Sequence, residues 1–210
     1  MIRKGLLRQV AAYYSEKVLE HGPTPLGVDW NGEASQVLRF RQLLSVYDGR
    51  APFSLIDYGC GYGGLVPFVE ALGDVERYIG FDVSAVMLEH ARARFGDARR
   101  SFANSEDQLT PADFTVASGV FNVKLDTPEA AWREYVLETI DRLAELSGVG
   151  FAFNLLTSYS DPDRMRDDLY YADPAFFFDY CKRRHAENVA LLHDYGLYEF
   201  TVIVRKELET

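Results

Sequence analysis

The residues with the most chemical potential stand in Asp57-Tyr58-Gly59-Cys60-Gly61-Tyr62-Gly63-Gly64, an acid followed by closely spaced glycines. Glycine lets a backbone take up positive φ and approach a ligand closely. Gly59, Gly61 and Gly64 satisfy the dinucleotide spacing G-x-G-x-x-G, a match that carries little weight alone. Asp57 tilts the choice. A carboxylate two residues before the first glycine is awkward beside a pyrophosphate but suits an ammonium group, to which it offers Coulombic attraction and a charge-assisted hydrogen bond. A second acid, Asp82, lies about twenty residues beyond the loop, the distance at which a βαβ unit returns a carboxylate to ribose hydroxyls.

Regular elements must hold these groups. Phe53, Leu55 and Ile56, bounded by Pro52 and by glycine, predict a central strand, and residues 65–69 predict a helix with Pro67 in its first turn. Residues 77–83 predict the second strand, after which Ser84 caps a helix striped by Val83, Met87, Ala91 and Phe95. Short strands follow at 101–103, within 114–122, which holds the fourth strand and its exit, and at 149–155, the last preceded by an amphipathic helix carrying Trp132, Tyr135, Val136, Thr139, Ile140 and Leu143. Upstream, Leu6, Leu7, Val10, Ala11, Tyr14 and Val18 recur at helical spacing over residues 2–20. Residues 22–32 read as a loop that holds Trp30, one of two tryptophans. In the helix expected over 33–47, Val37, Phe40, Leu43 and Leu44 form the apolar face, and Gln36, Arg39 and Arg41 lie elsewhere.

The chain resembles the class I S-adenosylmethionine-dependent methyltransferases, whose loop acid-x-Gly-x-Gly-x-Gly is matched by Asp57, Gly59, Gly61 and Gly63. Residues 189–204, two β-rich runs about a turn near Gly196, resemble that family's closing hairpin, in which an antiparallel strand inserts between strands five and six. The resemblance implies a Rossmann-like α/β fold: a mostly parallel seven-stranded sheet, an antiparallel C-terminal strand, and helices on both faces. It implies S-adenosylmethionine as cofactor, its methionyl part on the glycine loop with Cys60, and its ribose at Asp82 and Val83. Ser105, Glu106 or Asp107 would meet the adenine, Ser118 and Gly119 would border the cofactor at the exit of strand four, and Arg39 would take its carboxylate. Tyr14 would face the site from the N-terminal helix, while Trp30 would either stack on the cofactor or anchor its loop. The family's Asp/Asn-Pro-Pro-aromatic signature for nucleobase amines is replaced by Ser118-Gly119-Val120-Phe121-Asn122, which argues against that chemistry and leaves Phe121 and Asn122 as acceptor contacts.

The segment 156–174, dense in tyrosine and charge, is long for a loop and reads as a substrate lid. Arg164 and Arg166 would clamp a carboxylate or phosphate, and Tyr159, Tyr170 and Tyr171 would flank a ring. His185 and His193 are candidate bases because imidazole titrates near neutrality, and Tyr170 joins them as a candidate catalytic group. The expected organisation is one domain over 1–210, with 1–48 as a helical cover and 156–174 as the lid.

Twenty-two basic against thirty-two acidic residues give a net charge of −10, which argues against nucleic acid and anionic membranes as partners. Charges interrupt the first apolar residues, so neither a signal peptide nor a membrane span is expected, and the location expected is cytoplasmic. Two cysteines make neither a disulfide framework nor a metal cluster, and no metal is expected. The function expected is methyl transfer to an oxygen or nitrogen of a small molecule. The alternatives are a non-catalytic cofactor-binding or assembly protein on the same fold and a nicotinamide-dependent oxidoreductase.

Overall fold

The computed structural model describes residues 2–30 and 32–206, with side chains from residue 5; Asn31, in the loop expected to cover the site, lies outside the described residues. Apolar β-formers set the sheet. β1 (Phe53–Tyr58) is buried along its whole length, as a central strand requires. β2 (Val75–Phe81) and β4 (Ala112–Ala117) flank it in parallel, β3 (Arg100–Ala103) lies outside β2, and β5 (Ser147–Thr157) lies outside β4. The C-terminal hairpin then folds back. β8 (Glu199–Arg205) inserts antiparallel between β5 and β7 (Asn188–Leu192), giving the order β3-β2-β1-β4-β5-β8-β7. The expected seven strands are present, and the segment 156–174 adds an eighth: β6 (Tyr171–Ala172) pairs with Leu156 and Thr157 of β5, beyond the end of β4.

Alternate side chains of β1 serve different cores. Ile56 and Tyr58 belong to one face, with Trp132, Val136 and Ile140 of α5 (Glu129–Leu146) and Phe177 of α6 (Pro174–Arg184). Phe53 and Leu55 belong to the other, with Phe40 and Leu43 of α2 (Glu33–Leu44) and Val66 of α3 (Val66–Glu70). α4 (Ala85–Phe95) starts at Ser84, whose hydroxyl accepts the Met87 N–H, as the sequence predicts. The long helix α1 (Ile2–His21) crosses the carboxyl edge of the sheet.

The fourth strand gives way to its exit at Ala117, after which Gly119 turns the chain at φ +70°. One expectation changes. Gln36 and Arg39, placed off the apolar face of α2 by their polarity, are buried, because Tyr62 and Glu199 supply hydrogen-bonding partners there. Between β1 and β4 the strand order reverses, and open α/β sheets form their ligand crevice at the carboxyl ends there.

Trp132 is fully buried, and its Nε1 donates to the Phe121 carbonyl at 2.8 Å, tying α5 to the β4 exit. Trp132→Ala should lower unfolding free energy by about 3–5 kcal/mol in a urea titration, and Trp132→Phe by about 1–3 kcal/mol for the carbonyl left unpaired.

Candidate active site

Backbone donors shape the glycine loop. The N–H groups of Gly59 and Cys60 both donate to the Phe81 carbonyl, at 2.7 and 2.9 Å, which folds the loop back onto the end of β2. Asp82 then joins two elements: its Oδ2 accepts the Gly61 N–H at 2.9 Å and its Oδ1 the Ser84 N–H at 2.8 Å. Gly59 sits at φ +83°, and a Cβ there would lie 2.4 Å from Val120 Cγ2, so no larger residue fits.

Asp57 is 2% exposed and accepts the Tyr78 hydroxyl at 2.6 Å. Burial pushes its pKa up to about 7; the Tyr78 hydrogen bond opposes the rise and the nearby Asp82 adds to it. Burial also raises the Asp82 carboxyl, against the pull of the backbone donors of Ser84, Gly61 and Val83. Burial raises the Cys60 thiol, which stays protonated and inert.

Around these groups lies a crevice lined by Leu7, Val10 and Tyr14 of α1, by Trp30, and by Gln36 and Phe40 of α2. Val83 and Met87 at the start of α4, Ser118 to Val120 after β4, and Tyr135 of α5 complete it. Among the described residues the wall holds two carboxylates and no histidine, lysine or arginine. Ser118 Oγ is buried without a hydrogen-bond partner, a polar atom left for a ligand. No group of described residues is arranged to hold a metal ion, and no described helix is long and apolar enough to cross a membrane.

The cover meets at Asp29. It accepts the Tyr13 hydroxyl at 2.8 Å and pairs with Lys17 at 3.3 Å, both from α1. Arg166 of the segment 156–174 approaches it at 3.6 Å, so α1, the Trp30 loop and that segment converge on one carboxylate. A further contact, Ser15 Oγ to Ser84 Oγ at 2.8 Å, sets α1 onto α4.

The structure brings Tyr14, Trp30, Asp57, Gly59, Cys60, Gly61, Asp82, Val83, Ser118 and Gly119 together on this wall. Other expected residues lie elsewhere. Gly63 faces Phe95, and Gly64 takes its place on the wall. Arg39 is engaged by Glu199 behind the wall. Ser105 caps a short turn over Glu106–Gln108 that includes Asp107, and Glu106 accepts the hydroxyl of Tyr58, a wall residue. Phe121 is core, and the Asn122 carbonyl accepts the N–H of Tyr170, itself buried. Tyr171 accepts the Arg166 N–H, Arg166 pairs with Asp168, Arg164 is exposed, and Tyr159 is 74% exposed beside His193.

None of the three catalytic candidates is on the wall. His185 lies 3.1 Å from Asp141 and against Phe151 in the first half of β5, while burial lowers its pKa; His193 is exposed after β7. The sequence reading passed over Leu7, Val10, Gln36, Phe40, Tyr62, Met87 and Tyr135. Those on apolar stripes carry no mark that separates a ligand wall from core.

A family model described as a methyltransferase domain matches residues 56–136. Rv1506c of Mycobacterium tuberculosis (strain ATCC 25618 / H37Rv), whose name proposes a methyltransferase, is 49% identical over 164 residues, covering 78% of this chain and 99% of that protein. In fold, the chain is similar to DhpI in complex with S-adenosylhomocysteine, at TM-score 0.63 and 16% identity over 97% of this chain and 98% of that one. It is also similar to the magnesium protoporphyrin IX methyltransferase of Synechocystis PCC 6803 with bound S-adenosylmethionine, at TM-score 0.57 and 16% identity over 83% and 80%. With its glycine loop and acid-ended strands at the switch point, the chain belongs to the class I S-adenosylmethionine-dependent methyltransferases. It is an enzyme whose cofactor is S-adenosylmethionine, and the crevice fits that molecule: two carboxylates, an orphaned hydroxyl and a backbone open to close approach.

Asp82→Ala removes the acceptor that joins the loop to α4. Calorimetry with S-adenosylhomocysteine should show affinity at least about tenfold weaker in a protein with an unchanged circular dichroism spectrum.

Proposed function

We propose that this enzyme methylates an oxygen or nitrogen of a small-molecule acceptor inside the crevice closed by α1. The observation that carries this reading is the cover: Leu7, Val10 and Tyr14 of α1 form part of the wall itself, so an apolar helix face lies over the crevice at the carboxyl edge. The net charge of −10 and the absence of cations from the wall also disfavour a polyanionic acceptor.

When bound, S-adenosylmethionine supplies an electrophilic methyl group beside a sulfonium. The protein's part is to orient the two reactants and exclude water, and orientation alone accounts for roughly 7–11 kcal/mol of barrier in favourable cases. Asp57 would hold the ammonium of the methionyl part, Asp82 the ribose, and Ser118 a polar atom at the exit of β4. The N-terminal segment 1–48 acts as cover and the segment 156–174 as lid within one catalytic domain of 1–210. The lid selects the acceptor, because β6 sits beyond the end of β4 and Arg166 reaches the cover at Asp29. His185, His193 and Tyr170 take no proton from the acceptor in this reading, since they stand off the wall.

Incubation with methyl-labelled cofactor and a metabolite panel tests the proposal: transfer to a small molecule is expected, and transfer only to protein or nucleic acid would refute it. Shortening the segment 161–168 should leave S-adenosylhomocysteine affinity intact and abolish transfer. Asp57 adds a pH signature. Its folded pKa of about 7 exceeds the ordinary 3.8, so its contribution to stability is present below pH 3.8 and is lost as pH rises through 7. A bound ammonium favours the ionised form, so S-adenosylhomocysteine binding should release a proton and tighten as pH rises from about 5 to 7. Calorimetry in buffers of different ionisation enthalpy would detect that proton, and Asp57→Asn should remove it.

A further inference from the structure

Behind the crevice wall lies a buried charge pair. Glu199 opens β8 and is 1% exposed; Arg39 of α2 is 7% exposed. Arg39 Nε donates to both carboxylate oxygens, at 2.7 and 2.8 Å, and Nη2 also donates to Oε1. Desolvating two charges costs enough that a packed apolar pair is often as stable, so stability alone does not explain this one.

Its remaining contacts lead to the crevice. Asn154, fully buried in β5, donates from Nδ2 to Glu199 Oε2 at 2.8 Å, and its Oδ1 accepts the Gly119 N–H at 2.7 Å. Gly119 is on the wall at φ +70°, and a Cβ there would lie 3.2 Å from the Trp30 indole. Trp30 in turn lies 4.9 Å from the Arg39 guanidinium carbon, as a cation–π pair. Arg39, Glu199, Asn154, Gly119 and Trp30 thus close a ring, two members on the wall and three behind it.

We propose that Arg39, Glu199 and Asn154 are positioning residues for methyl transfer, holding the Gly119 peptide and the Trp30 ring in one geometry against the cofactor. The proposal rests on reading the crevice as the S-adenosylmethionine site. The physical reason is the direction of the hydrogen bonds. A carboxylate only accepts and a backbone N–H only donates, so a single orientation of the Asn154 amide satisfies both neighbours. A glutamine at 199 could turn its NH₂ toward Asn154 and let that amide flip, presenting a donor to the donor of Gly119. The bidentate fork of Arg39 fixes the Glu199 carboxylate and, through its planar face, the indole.

The test is S-adenosylhomocysteine calorimetry on wild type, Glu199→Gln, Asn154→Ala and Arg39→Lys, with Trp30 emission isolated by subtracting the Trp30→Phe spectrum. Glu199→Gln and Asn154→Ala should bind about tenfold more weakly with altered Trp30 emission while circular dichroism is unchanged. Arg39→Lys, which keeps the charge and loses the fork, should shift Trp30 emission in the same sense. Should Glu199→Gln fail to fold, Asn154→Ala, which removes no charge, decides. Wild-type affinity and emission in folded Asn154→Ala would overturn the proposal, even if thermal stability fell. A wild-type protein that does not bind S-adenosylhomocysteine would instead overturn the crevice assignment on which the proposal rests.

Discussion

Two carboxylates, Asp57 and Glu199, are taken out of water at the carboxyl edge of one sheet, a third, Asp82, is half-buried beside Asp57, and the surrounding structure is arranged to make that tolerable. Burying a charge is costly unless it is paired or hydrogen-bonded. Each acid meets the condition differently. Glu199 has an arginine and an amide, Asp82 has backbone N–H groups from two elements, and Asp57 has one tyrosine hydroxyl. The degree of compensation grades their roles: Glu199 is satisfied and built into the scaffold, whereas Asp57 is left with the greatest unmet demand for a positive partner.

That gradient links fold to chemistry. The order reversal between β1 and β4 opens the crevice, and the acids that end β1 and follow β2 give it negative character. A sulfonium cofactor with an ammonium group complements such a site, where a pyrophosphate would meet repulsion. Among the described residues the wall offers no cation or imidazole, and under the proposed function this puts the weight of catalysis on orientation and exclusion of water.

Covering the crevice is a separate problem, solved by segments distant in sequence. α1 contributes its apolar stripe to the wall and its polar side to Asp29, which also meets Arg166 of the segment 156–174. Asp29 itself sits at φ +58°, a conformation in which aspartate is among the better-tolerated residues.

The sequence alone determined what is local: the acid-ended strands, the glycine loop between them, the Ser84 cap, the stripe of α1 and the closing hairpin. Each depends on residue type and spacing over a few positions, which is where backbone propensity and periodicity act. It also placed Asp57, Asp82, Ser118 and Gly119 at strand ends, where the sheet presents ligand-facing groups. What it could not supply is which polar residue finds a partner across the fold. Arg39 reads as a partner for the cofactor carboxylate until Glu199, 160 residues away, is brought beside it. His185 reads as a base until Asp141 and Phe151 flank it away from the wall, and Tyr171 reads as a substrate contact until its hydroxyl is found accepting the Arg166 N–H. Pairing of this kind depends on tertiary proximity and burial, which no spacing along the chain encodes, so only the folded structure decided which partner each of these side chains meets.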